Sequence, residues 1–84
     1  MTPDAAAAII TDAASSFAAY ETTIADLWAA FHVHLPELTT AAPLEGLFLD
    51  LFRCLEAWEI AAGDDRDAAQ QATRVVASRF ARSA

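Results

Sequence analysis

The chain has 84 residues, 22 of them alanine, and a formal net charge of -7. Such a length allows one domain, residues 1–84, which buries only about 60–65% of its unfolded surface. With no lysine, five arginines and one cysteine, the composition excludes an intramolecular disulfide and argues against a free-standing duplex-DNA or anionic-membrane binder, which presents a basic face.

Thr2-Pro3-Asp4 reads as a helix start: a capping hydroxyl, proline at the first helical position and an acid at the positive dipole end. From there the three-four spacing of Ile10, Ala13, Phe17, Tyr20, Ile24, Leu27, Phe31 and His34 predicts one long helix to about His34. A break near Glu21-Thr22-Thr23 is its weak point, because paired β-branched residues disfavour helix. Pro36 is expected to end the helix, since proline disfavours helical backbone at Leu35. Residues 35–43, LPELTTAAP, then form the connection, with Thr40 or Ala42 near the next cap.

A second helix is predicted from Pro43 to about Ala62, ended by Gly63 in the left-handed conformation. Leu44, Leu47, Leu51, Cys54, Trp58 and Ala61 form its seam, and Phe48, Phe52 and Leu55 a second stripe. A helix apolar around so much of its circumference is expected to be nearly enclosed. Asp64-Asp65 caps a third helix, about Asp65 to Arg82, with a thin apolar stripe of Ala68, Ala69, Ala72, Val75, Val76 and Phe80. Its early acids and its late Arg79 and Arg82 suit the helix dipole.

The expected fold is therefore all-α: a small antiparallel bundle of three helices, a long first helix and a hairpin of the second and third. Seventeen of the 25 larger apolar residues lie between Ile24 and Ile60, which places the expected core between the end of the first helix and the second. Two neighbours cannot cover the second helix. Phe48, Leu49, Phe52 and Leu55, with Trp58 beside them, are expected to form an apolar patch completed by dimerisation.

Chemistry-bearing patterns are sparse. His32 and His34 are two residues apart, so on a helix they point about 200° apart and cannot share a metal. One cysteine and scattered acids give no zinc spacing. Cys54 lies on the apolar seam, where a structural thiol is expected rather than a nucleophile. Asp50, Arg53 and Glu56 read as a solvated ion-pair row. Gln70, Gln71, Thr73, Arg74, Ser78 and Arg79 have the residue types of a DNA-reading helix, but Asp64, Asp65 and Asp67 stand where phosphate donors belong. No phosphate loop or hydrolase motif is present. No catalytic residue, metal ligand or cofactor is predicted.

In size and alanine content the chain resembles the small Trp-x-Gly helical-hairpin proteins of type VII secretion. It departs from them at both motifs: Trp28 is followed by Ala29-Ala30, and Tyr20 is followed four places on by Ile24 rather than an acid. The resemblance implies a small type VII secretion-like helical protein as one alternative.

The leading expectation is a non-enzymatic helical interaction module that works as a homodimer or docks on another helical protein. It involves no direct nucleic acid and no membrane. A different alternative rests on charge. Residues 1–52 carry seven acids and no base, whereas residues 53–84 carry five of each. An acidic antagonist, a nucleic-acid mimic or antitoxin-like protein on a basic protein surface, would use that asymmetry. The N-terminus lacks a positive n-region, and no apolar run approaches the ~20 residues of a spanning helix. A cytoplasmic location is expected, and the arginine and alanine usage fits a GC-rich bacterial genome.

Overall fold

In a computed structural model, residues 2–40 and 42–83 are described, without the side chains of 81–83. They form four helices: α1 Pro3–Ala18, α2 Ile24–Leu38, α3 Gly46–Ile60 and α4 Asp64–Ser83. The chain is all-helical, and no strand occurs among the described residues. The three expected helices are four because the predicted long first helix is two.

The break has a local cause at each end. Thr23 caps α2, its hydroxyl accepting from the Asp26 amide at 3.2 Å, and the Thr22 hydroxyl donates to the Asp26 carboxylate at 3.3 Å. On the other side α1 closes with the paired bonds of a Schellman turn. Tyr20 N–H reaches the Phe17 carbonyl at 3.1 Å and Glu21 N–H the Ser16 carbonyl at 2.8 Å. That turn needs a left-handed residue, and Tyr20 supplies it at φ 63°. Tyr20 therefore leaves the predicted seam and is 77% exposed.

The start of α1 is as expected: the Thr2 hydroxyl accepts from the Ala5 amide at 3.2 Å. The end of α2 is not. The helix continues through Pro36 to Leu38. Proline removes one N–H and crowds the preceding turn, but nearby threonines cap the last carbonyls. Thr39 Oγ1 donates to Leu35 O at 3.0 Å and Thr40 Oγ1 to Pro36 O at 2.9 Å. The third predicted boundary also moves. α3 begins at Gly46 rather than Pro43, with Glu45 as its N-cap, because Gly46 takes φ 59°. Gly63 is left-handed too, at φ 60°. It lies before α4 and not at the cap of α3, which is Ala61. Its carbonyl accepts from the Arg66 amide at 3.1 Å. Of the two dipole-complementing arginines predicted in α4, Arg79 is exposed on its last turns, and the Arg82 side chain lies outside the described residues.

Two hairpins, α1–α2 and α3–α4, are joined mainly by α1 lying against α4. The core expected between α2 and α3 is thus redistributed. It contains Ile10, Ala14 and Phe17 of α1, Ile24, Leu27, Trp28 and Phe31 of α2, Leu51 and Leu55 of α3, and Val76, Ala77 and Phe80 of α4. The small Ala14 and Ala77 let backbones approach, whereas the backbones of α2 and α3 hardly meet and are bridged by aromatic rings. On α4 the buried line runs through Thr73, Val76, Ala77 and Phe80, and the predicted Val75 is 57% exposed. Burial of Thr73 is tolerable because its hydroxyl donates to Ala69 O at 2.7 Å, leaving no unsatisfied donor. The radius of gyration, 12.0 Å, matches the ~12 Å of a close-packed chain this long.

Candidate interaction surface

Helix α3 carries the residues predicted as an interface. The helix is not nearly enclosed as expected, since its residues Asp50, Arg53, Glu56, Ala57, Glu59 and Ile60 are exposed. Leu51 and Leu55 alone are fully buried, and Leu44, Leu47, Phe48, Phe52, Cys54 and Trp58 pack on the core while staying half-buried. The expectation of one exposed patch is corrected here. Leu55 is 0% exposed within the single chain, because α4 folds over it.

The other four predicted residues go to different surroundings. The Phe48 ring meets Phe80 of α4 edge-on, 5.2 Å between centroids. Phe52 lies 5.7 Å from both Trp28 and Phe31 of α2. These rings fill the space that the α2 and α3 backbones leave. The Trp28 indole N–H donates to Glu59 Oε2 at 2.8 Å, so the one polar atom of that ring is satisfied across the same seam. Trp58 is roofed by the Arg66 guanidinium, 4.1 Å above its ring. Leu49 is half-buried and turned away from the core cluster.

Sequence reasoning missed Ile60, the most exposed large apolar residue among those described, at 86%. Its spacing from Leu49, through Arg53 and Glu56, follows the four-three-four rhythm of one helix face. That face points opposite Leu51, so a helical wheel places Ile60 on it, off the apolar seam. The outer face of α3 is thus apolar at both ends with an arginine and a glutamate between.

A shallow dent of about 160 Å³ opens beside this helix, lined by Leu38, Ala42, Pro43, Leu44, Glu45 and Phe48. Pockets that enclose small ligands start near ~300 Å³. Five of its six lining residues are apolar, and Glu45 is the sixth.

The remaining titratable groups are dispersed. His32 is exposed, its ring edge-on to Trp28 at 4.1 Å, while His34 is half-buried on another face. Among the described residues no three His, Cys, Asp or Glu side chains converge as metal ligands. Glu37 has one carboxylate oxygen buried without a hydrogen-bond partner among them. Cys54 is half-buried. Burial pushes its thiol above the ordinary 9.0, Asp50 adds to the rise and Arg79 opposes it. A raised pKa leaves little thiolate at neutral pH. No helix among the described residues is long and apolar enough to cross a membrane.

No family model matches this chain, and no curated protein or solved structure matches it.

Proposed function

We propose that this chain is a non-enzymatic helical interaction module that pairs with a second copy or docks on another helical protein through α3. The observation that supports the reading is the state of that helix. Phe48, Leu49, Phe52 and Trp58 stay half-buried, and Ile60 stands almost fully in solvent. Isolated surface apolar residues are ordinary, but several on one helix mark an interface. Aromatic anchors set among partly covered neighbours are the usual energetic centre of such contacts.

Leu49 and Ile60 offer the cleanest test, because neither belongs to the core cluster. Light scattering on a sizing column should give twice the 9.0 kDa of one chain. Leu49→Asp with Ile60→Asp should halve that mass and keep the helical circular dichroism. An assembly of unchanged mass in the double variant would remove α3 from the interface. A native chain of 9.0 kDa at every concentration would move the reading to a heterologous helical partner.

The acidic-antagonist reading draws support from exposure. Asp4, Asp12, Glu21, Asp26, Glu45 and Asp50 are all exposed, and neither α1 nor α2 contains a basic residue other than histidine. Binding of this kind weakens steeply with salt, so a partner held equally at low and high ionic strength would rule it out.

A further inference from the structure

The five residues between α1 and α2 hold a contradiction. Apolar spacing continues across them: Ile10, Ala14 and Phe17 before the break, Ile24, Leu27 and Phe31 after it, all buried. Yet the chain reverses there, and it does so with a tyrosine at φ 63°, where a side chain bearing Cβ is strained. Helix α4 holds the reversal in place. Arg74 Nη1 donates to the Phe17 carbonyl. The same guanidinium lies 4.1 Å over the Phe17 ring and 3.9 Å over the Tyr20 ring. Its Nε is buried with no partner among the described residues.

The Phe17 carbonyl is the decisive atom. In a continuous helix it would accept from the Glu21 N–H, four residues on. Here the Glu21 N–H turns instead to Ser16 O at 2.8 Å, and the Phe17 oxygen accepts from the Tyr20 N–H at 3.1 Å and from Arg74. The Tyr20 N–H and Arg74 together thus fill both lone pairs of the acceptor that helix continuation would use. We infer that residues 19–23 are a hinge, and that its opening joins α1 and α2 into one helix and exchanges α1 with a second copy of this chain. The exchanged α1 meets the same faces of α2 and α4, so every core contact of α1 is remade between copies, the α3–α4 contacts stay within each chain, and only the hinge changes. Short strained hinges favour this exchange. The inference does not rest on the α3 interface, which would join two closed chains.

The test separates the two. In a Leu49→Asp, Cys54→Ser chain, spin labels are placed at Ala8→Cys and Val33→Cys, both exposed positions. The labelled chain is refolded at high concentration with excess unlabelled chain. In the closed hairpin α1 folds back on α2 and holds these positions closer together, whereas 25 residues of unbroken helix separate them by about 38 Å. The expected result is a dimer fraction showing the long distance within one chain. Tyr20→Gly removes the left-handed strain and weakens the open helix, at the loss of one ring contact to Arg74. It should lower the dimer yield about fivefold per hinge, about 25-fold for two. Arg74→Met removes one of the two donors on the Phe17 carbonyl and the guanidinium over the Phe17 and Tyr20 rings, and should raise the yield several-fold. A chain that stays monomeric, a dimer that keeps the hairpin distance, or a Tyr20→Gly yield equal to that of the parent would each overturn the inference.

Discussion

Single side chains close the weak points of this fold. Thr23 supplies an acceptor to an otherwise orphaned amide of α2. Thr23→Ala should cost about 1 kcal/mol, read as a lower urea midpoint with unchanged slope. Trp28 acts twice, as a ring in the core and as a donor to Glu59. Trp28→Phe retains most of the apolar contact and loses the bond. A loss of about 1–2 kcal/mol is expected for a charge-assisted bond at a part-buried site, and a double-mutant cycle with Glu59→Ala, which removes the acceptor, should show coupling. Additive single effects would mean the bond contributes nothing. Cys54 gives the pH prediction. Its folded pKa is raised above the ordinary 9.0, so the native state holds the proton more tightly than the unfolded chain. Its contribution to stability is intact below that value and falls as pH rises through it. Thiol alkylation at pH 8 should accordingly be slower in the folded chain than in urea, and equal rates would contradict the assignment.

At the scale of elements, the caps decide where helices end more than the propensities do. Pro36 shows this. Proline is expected to end the helix at its predecessor, yet α2 runs two residues beyond it, because Thr39 and Thr40 bind the carbonyls of the last turn. Only one backbone bond is forfeited. Pro36→Ala should therefore stabilise by about 1 kcal/mol, less than the ~3 kcal/mol of an interior proline. A destabilised variant in thermal melts would show that the proline's stiffness in the unfolded chain outweighs the lost bond. The four-residue rhythm of α3 explains why the burial of its predicted interface residues was only partly legible. The sequence shows that Phe48, Leu49, Phe52, Leu55 and Trp58 are apolar, and not which of them α4 and α2 cover. Periodicity gives a direction around one helix; coverage depends on the neighbour that arrives there.

Across the whole molecule, α4 is the organising element. It lies against both α1 and α3, caps the end of α1 with Arg74 and closes the core with Phe80. Its alanine-rich stripe looks thin in the sequence, but small residues are what let two helices approach it. The contrast between a closed core and an open face predicts opposite outcomes on one helix. Leu55→Ala removes a fully buried side chain and should cost about 2–5 kcal/mol. Leu49→Asp should change monomer stability by about 0.5 kcal/mol or less, while altering the mass of any α3-mediated assembly. Equal destabilisation by both, measured by urea titration, would mean that the outer face of α3 is also core.

The sequence by itself determined the helical class, the start of α1 at Thr2-Pro3, the left-handed backbone of Gly63 though not its place as a cap, and five of the eight seam positions, Ile10, Phe17, Ile24, Leu27 and Phe31, but not Ala13, Tyr20 or His34. Each is a local matter of propensity, capping or spacing, set by residues within a few turns of one another. It also marked the weak point near Thr22-Thr23 without deciding it. Only the tertiary structure shows that the chain breaks there, with the local caps of Thr23 and Tyr20 joined by a contact from Arg74, which lies 57 residues beyond Phe17. The same holds for the burial of Leu55, the filling of the α2–α3 gap by Trp28, Phe31 and Phe52, and the exposure of Ile60. These outcomes depend on which helix lies beside which, and contacts between distant residues leave no periodicity in the sequence.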